Sequence, residues 1–68
     1  MDDADRARDL RARAGRIREQ GRKLKARADS LPPGAMREML AGQAKILADG
    51  AYDLETQALA LAPPLGTA

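Results

Sequence analysis

The feature that most constrains the fold is a heptad pattern of large and small apolar residues, which occurs twice. Between residues 10 and 31 the spacing alternates between four and three, and most residues in between are polar or charged. Such a repeat predicts an amphipathic helix with one narrow apolar stripe. The large positions are Leu10, Ile17, Leu24 and Leu31, and the small positions are Ala7, Ala14, Gly21 and Ala28.

A segment with two prolines and a glycine separates this stripe from a second one. The residue before a proline is disfavoured in the α region, so Leu31 and Pro32 should be non-helical. Pro33 suits the first position of a helix, where its missing N–H costs nothing. The second stripe has the large residues Leu40, Leu47, Leu54 and Leu61, and the small residues Ala44, Ala51 and Ala58.

The two stripes match each other in an antiparallel register. A short connection between helices places them side by side and antiparallel. In that arrangement Leu10 faces Leu61 and Leu24 faces Leu47, and the numbers of each large pair add to 71. The sequence therefore predicts an all-α fold, an antiparallel hairpin of helices over about 3–29 and 33–61. Asp2 or Asp3 would cap the first helix, the hairpin domain would cover 1–62, and 63–68 would form a disordered C-terminal tail.

The size of the chain indicates that the hairpin needs a partner. A chain of 68 residues has room for only a small core, and such chains usually need a disulfide, a metal or an oligomer for stability. The sequence contains neither cysteine nor histidine, which removes disulfides and the commonest metal ligands. We therefore expect a homodimer in which two hairpins form a four-helix bundle.

The second helix has a wider apolar arc than the first, which indicates where self-association would occur. A helix with a wide apolar arc packs against more than one neighbour. The alternative is that its outer apolar residues are ordinary exposed side chains, which are common on protein surfaces. The expected self-association surface consists of Met36, Met39, Gln43, Ile46 and Gly50.

The first helix carries most of the positive charge. Between Arg11 and Arg27 there are eight basic residues and one acid, Glu19, although the whole chain has a net charge of only +2. Such a block attracts acidic protein surfaces or phosphates. The alternative is a solvated face partly neutralised by the pairs Glu19–Lys23 and Asp9–Arg13, and by Glu55 near Arg16 and Arg18. The expected acidic-partner or nucleic-acid face consists of Arg11, Arg13, Arg18, Arg22, Lys25 and Arg27.

A nucleic-acid-binding hairpin dimer is the alternative function. The expected topology is similar, in architecture and length only, to that of the small plasmid-encoded repressor-of-primer proteins, which bind paired RNA loops. Phosphate contacts by arginine and lysine would supply most of the affinity. The first helix has no aromatic residue on which bases could stack, so a protein partner is the preferred interpretation.

The residue types argue against catalysis and against a membrane location. Without histidine and cysteine the usual general bases and nucleophiles are missing, and we predict neither an enzyme nor a bound cofactor or metal. The apolar runs are too short to span a bilayer, and half of the apolar stripe is alanine or glycine, which does not suit insertion into a membrane surface. The acidic N-terminus does not resemble a signal peptide, so we expect a cytoplasmic protein.

Overall fold

The computed structural model describes residues 2–61, which form two α-helices packed against each other. Helix α1 covers Asp3–Asp29 and helix α2 covers Ala35–Leu61, with 27 residues each. A helix of that length is about 40 Å long. The predicted all-helical hairpin is confirmed. The expected tail over residues 63–68 lies outside the described residues.

The ends of α1 agree with the capping expected from the sequence. The side chain of Asp2 accepts a hydrogen bond from the backbone N–H of Asp5 at 2.8 Å, which satisfies one of the free N–H groups of the first turn. At the other end, the backbone N–H of Ser30 bonds to the carbonyl oxygens of Ala26 and Arg27, both at 3.2 Å. These contacts end α1 before the two prolines.

Helix α2 begins two residues later than predicted. The sequence indicated a start at Pro33, but the first helical residue is Ala35. Gly34 has a φ of +156°, a conformation that residues with a Cβ rarely adopt, and its carbonyl oxygen accepts the N–H of Glu38 at 3.1 Å. Gly34 therefore holds the position just before the helix, and Pro33 belongs to the connection.

The contact between the two helices consists of small residues. No large side chain within residues 2–61 is fully buried. Small residues at every seventh position allow the two axes to approach closely, since no long side chain keeps them apart. The buried residues are Ala7, Ala14, Gly21, Ala28, Ala44, Ala51 and Ala58.

The large residues of the two stripes lie along one side of this contact and are only half-buried. In an antiparallel hairpin, equivalent heptad positions of the two helices lie on the same side, so both leucine rows share one face. We call this surface the leucine face. It consists of Leu10, Ile17, Leu24, Leu31, Leu40, Leu47, Leu54 and Leu61, all of intermediate exposure.

Candidate interaction surfaces

A shallow groove with basic walls runs between the helices on the side opposite the leucine face, and we call it the alanine groove. Its floor is formed by Gly21 and Ala44 together with Ala41 and Ala48 of α2. Gly21 and Ala44 occupy small positions of the heptad pattern. The wall residues occupy the heptad positions beside these small ones. The walls are formed by Arg18, Arg22, Lys25, Asp29 and Lys45.

One ion pair connects the helices at the N-terminal end of the α1 wall. The Nε of Arg18 donates to Oε2 of Glu55 at 2.9 Å, and a second guanidinium nitrogen donates to Oε1. This two-point hydrogen bond lowers the pKa of Glu55 and raises that of Arg18. The predicted proximity of Glu55 to Arg18 is confirmed, and it helps to hold the helices in register.

A second carboxylate pairs differently from the prediction. The sequence indicated that Glu19 would pair with Lys23, four residues on, but the carboxylate of Glu19 accepts a hydrogen bond from Arg22, three residues on. That hydrogen bond lowers the pKa of Glu19, with a smaller contribution from the charge of Lys23. The guanidinium of arginine is the better donor to a carboxylate, and both spacings are within reach on a helix.

Two lysines give the alanine groove its uncompensated charge. Neither Lys25 nor Lys45 forms a salt bridge within residues 2–61, whereas Asp29 at the end of the groove lies 3.9 Å from Arg37. Lys45 was missed by sequence reasoning, which counted basic residues only along α1. The antiparallel register of the hairpin could have identified Lys45, because it places residue 45 opposite residues near 26 of α1.

The six basic residues predicted as one face lie on two sides of the hairpin. Arg18, Arg22 and Lys25 line the alanine groove, and Arg11 occupies the same heptad position as Arg18, one heptad earlier. Arg13 pairs with Asp9 at 3.2 Å, as predicted. Arg27 lies on the leucine side, where a second shallow groove is lined by Gln20, Lys23, Leu24, Arg27 and Leu47.

The predicted self-association residues lie on α2 at the edge of the leucine face. Ile46, Met36 and Met39 are 70%, 59% and 50% exposed. Gln43 is exposed, and Gly50 is half-buried with open space where a Cβ would lie. The heptad pattern places all five next to the leucines of α2. On the helix these residues therefore adjoin the leucine face, and the three large apolar ones among them are exposed.

Two other large apolar residues of α2 lie on the opposite edge. Tyr52 is 64% exposed and Leu59 is 50% exposed, and both follow a buried alanine directly in sequence. The hydroxyl of Thr56 donates to the carbonyl oxygen of Tyr52 at 2.9 Å. These two side chains are not part of the leucine face.

Two further findings concern membrane-spanning helices and metal sites, and the similarity of the chain to known proteins. In the part of the chain that the structure describes, no helix is both long and apolar enough to cross a bilayer, and no three carboxylates are grouped as a metal site would require. Comparisons with protein-family models, with curated proteins and with solved structures find no match for this chain.

Proposed function

We propose that this chain is a non-catalytic interaction protein that self-associates through the leucine face and the adjoining edge of α2, and offers the basic α1 to an acidic protein partner. One observation carries the proposal: the hairpin has a core of alanine and glycine only, while its eight large heptad residues lie on one side and are only half-buried. The basic groove lies on the other side.

Self-association is supported by the large apolar side chains that the single hairpin does not fully bury. Full burial of a leucine, isoleucine or methionine side chain is worth about 1.5–3 kcal/mol relative to exposure. Within the hairpin none of these side chains reaches full burial. A second copy that covers the leucine face would also cover Met36, Met39 and Ile46, which lie at its edge.

A matched pair of substitutions tests this part of the proposal. Ile46→Glu places a charge at the edge of the leucine face, and Tyr52→Glu places the same charge on the opposite edge of the same helix. Both residues are largely exposed, at 70% and 64%, so the hairpin should tolerate both substitutions. We expect Ile46→Glu to weaken dimerisation at least about tenfold in sedimentation equilibrium and Tyr52→Glu to leave it unchanged. Equal effects of the two substitutions would contradict the proposed surface.

An acidic protein partner is supported by the shape and charge of the alanine groove. Four of its lining residues are cationic and one is a carboxylate. Arg18 and Arg22 are partly neutralised by Glu55 and Glu19, while Lys25 and Lys45 are not paired within residues 2–61. The floor is made of small apolar residues, which suits a protein side chain better than a phosphate chain.

The probe for this site is a synthetic glutamate-rich helical peptide, measured by fluorescence anisotropy. We expect binding that weakens with salt and falls about tenfold in Lys45→Glu. Arg16→Glu is the matched control, because Arg16 is exposed, does not line the groove and undergoes the same change in charge. Equal losses in both variants would show that only the net charge matters, which would contradict a site in the groove.

Nucleic-acid binding remains the second candidate because α1 is basic along much of its length. Its test is a gel shift with structured RNA and duplex DNA at physiological salt. If the chain binds both the RNA and the DNA at that salt, and Arg11→Gln and Lys25→Gln each lose this binding, the result would favour this candidate over a protein partner. Asp29 in the groove and the absence of aromatic residues from α1 favour the protein partner.

A further inference from the structure

We propose that Tyr52 and Leu59 extend the alanine groove along α2, and that the partner segment that binds there is an amphipathic helix with one acidic flank and one apolar stripe. The extended groove rests on the proposed function, because it takes the same acidic partner, and it defines which part of that partner binds. It also gives a role to the two large apolar side chains of α2 that lie away from the leucine face.

One row of residues on α2 connects the groove wall to these two side chains. Residues seven apart lie on the same side of a helix, two turns or about 10.5 Å along its axis. Lys45 lines the groove, Tyr52 follows it by seven residues, and Leu59 follows Tyr52 by seven more. The row therefore runs for about 21 Å, from a cationic end near the connection to an apolar end near the C-terminus of α2.

The facing row of α1 leaves room beside the two apolar side chains. Gly15 precedes the groove residue Arg22 by seven residues, and the antiparallel register places it opposite residue 56, between Tyr52 and Leu59. A Cβ at Gly15 has no neighbouring atom within 4 Å, so this part of the α1 wall is low and open. An apolar side chain of a partner can therefore reach Tyr52 and Leu59 without meeting a long side chain at this point of α1.

The exposure of these two residues differs from that of an isolated surface side chain. A single exposed apolar residue is common on soluble proteins and indicates nothing. Tyr52 and Leu59 are 64% and 50% exposed, are neighbours along one row, and continue a groove that already has small apolar residues on its floor. Tyrosine is also one of the residues that contribute most to binding at protein interfaces.

A helix is the partner segment that fits the shape of this surface. A third helix packs into the groove between two antiparallel helices in the same way as in helix bundles, with axes about 8–10 Å apart. Gly21 and Ala44 permit that approach, because they place no long side chain on the floor. The row from Lys45 to Leu59 matches about four turns of such a helix.

The charges along the extended groove determine the pattern of the partner helix. Lys25 and Lys45 form no salt bridge within residues 2–61, whereas Arg18 and Glu55 neutralise each other midway along the groove. A carboxylate of the partner therefore belongs at the lysine end, and its large apolar side chains belong at the Tyr52 end. A helix that lies along α2 repeats its side chains at the same interval, so the matching pattern is an acid with large apolar residues seven and fourteen positions away.

Two helical peptides of about 20 residues test the extended groove by fluorescence anisotropy. Both carry the same glutamates; the first, prepared in both sequence orders, has leucine seven and fourteen residues from one glutamate, and the second has alanine in place of both leucines. We expect the native chain to bind the leucine peptide at least about tenfold more tightly, because burial of a large apolar side chain contributes about that factor. Tyr52→Ala and Leu59→Ala should each remove most of this advantage, and both side chains are at least half-exposed, so the hairpin should keep its fold. Ile46→Ala is the matched control, because Ile46 is 70% exposed on the leucine side of α2.

The outcomes separate the extended groove from the proposed function. Equal affinity for the two peptides, or equal effects of Tyr52→Ala and Ile46→Ala, would overturn the extended groove, while a tenfold loss in Lys45→Glu would still support the acidic partner. If neither peptide binds, both are overturned. Association of the native chain beyond the dimer that Tyr52→Ala removes, measured by sedimentation equilibrium, would show that a second copy fills the groove and would overturn the acidic partner helix.

Discussion

Gly21 is buried in the contact between the two helices. A Cβ at this position would lie 3.5 Å from the carbonyl oxygen of Ala44 and 3.6 Å from Cβ of Leu47, which is ordinary van der Waals contact. The space therefore accepts one methyl group and no more. Glycine is not required here by backbone conformation, since its φ is helical.

Gly21→Ala should consequently stabilise the protein. The gain in helix propensity is about 0.5–1 kcal/mol, and it should raise the Tm by a few degrees in thermal unfolding followed by circular dichroism. Gly15→Ala is the control for propensity alone, because a Cβ there has no neighbour within 4 Å. Gly21→Leu should destabilise by about 1–3 kcal/mol because it separates the helices. Stabilisation by leucine would contradict the close contact.

The Arg18–Glu55 pair makes stability depend on pH in a definite direction. The hydrogen bond from Arg18 holds the pKa of Glu55 below its ordinary value of 4.5. A carboxyl group with a lowered folded pKa stabilises the fold above its unfolded pKa, and that contribution is lost as pH falls through the lowered value. Glu55→Gln should therefore lower the Tm at neutral pH.

The measurement is the Tm of the native chain and of Glu55→Gln as a function of pH. The Tm difference between native chain and Glu55→Gln should be constant above about pH 5.5 and should shrink as pH falls below 4.5. Glu38→Gln, which changes an exposed carboxylate that forms no salt bridge within residues 2–61, is the control. A difference that grows as pH falls would contradict the assigned ion pair.

At the scale of the element, the connection between the helices depends on Gly34. Its φ of +156° is one that residues with a Cβ rarely adopt, and its carbonyl accepts the first backbone hydrogen bond of α2. The two prolines before it restrict the remaining dihedral angles, so the strain of a substitution cannot be relieved nearby.

Gly34→Ala should destabilise the protein by about 1–3 kcal/mol, measured by urea unfolding. The same replacement at Gly42, in the interior of α2 with no neighbour within 4 Å of a Cβ, should stabilise it by about 0.5–1 kcal/mol. If the two substitutions change the free energy of unfolding in opposite directions, the connection is the constrained position. Equal signs would contradict this assignment.

The helices could be predicted from sequence because their signals are local and repeated. The heptad positions of Leu10–Leu31 and Leu40–Leu61 determine the register, and Asp2 determines the start of α1. The start of α2 was predicted two residues early, because Pro33 suits a first helical position as well as a connection, and only the backbone at Gly34 distinguishes the two.

The candidate site could be predicted only in part. Charge counting along α1 identified Arg18, Arg22 and Lys25, but it also included Arg13 and Arg27, which lie on the other side. A count along one helix carries no information on which side of the hairpin a residue lies, and it omits Lys45 on α2. The half-burial of the leucines depends on how closely the helices pack, which the pattern does not specify.

For the whole molecule, association through the leucine face is apolar, so sodium chloride should not weaken it, because salt screens only charges. Sedimentation equilibrium at low and at moderate sodium chloride should show a dissociation constant that does not rise with salt. Dimerisation that weakens with salt would contradict apolar association.

In the proposed assembly, a second copy completes the alanine-cored hairpin by covering its leucine face. Folding coupled to dimerisation makes the Tm depend on protein concentration, whereas the Tm of a monomer does not. The most direct measurement is thermal unfolding of the native chain by circular dichroism between about 1 and 100 µM. We predict that the Tm rises steadily with concentration. A helical chain with the same Tm at every concentration, eluting at the mass of a single 7.3 kDa chain, would contradict the claim.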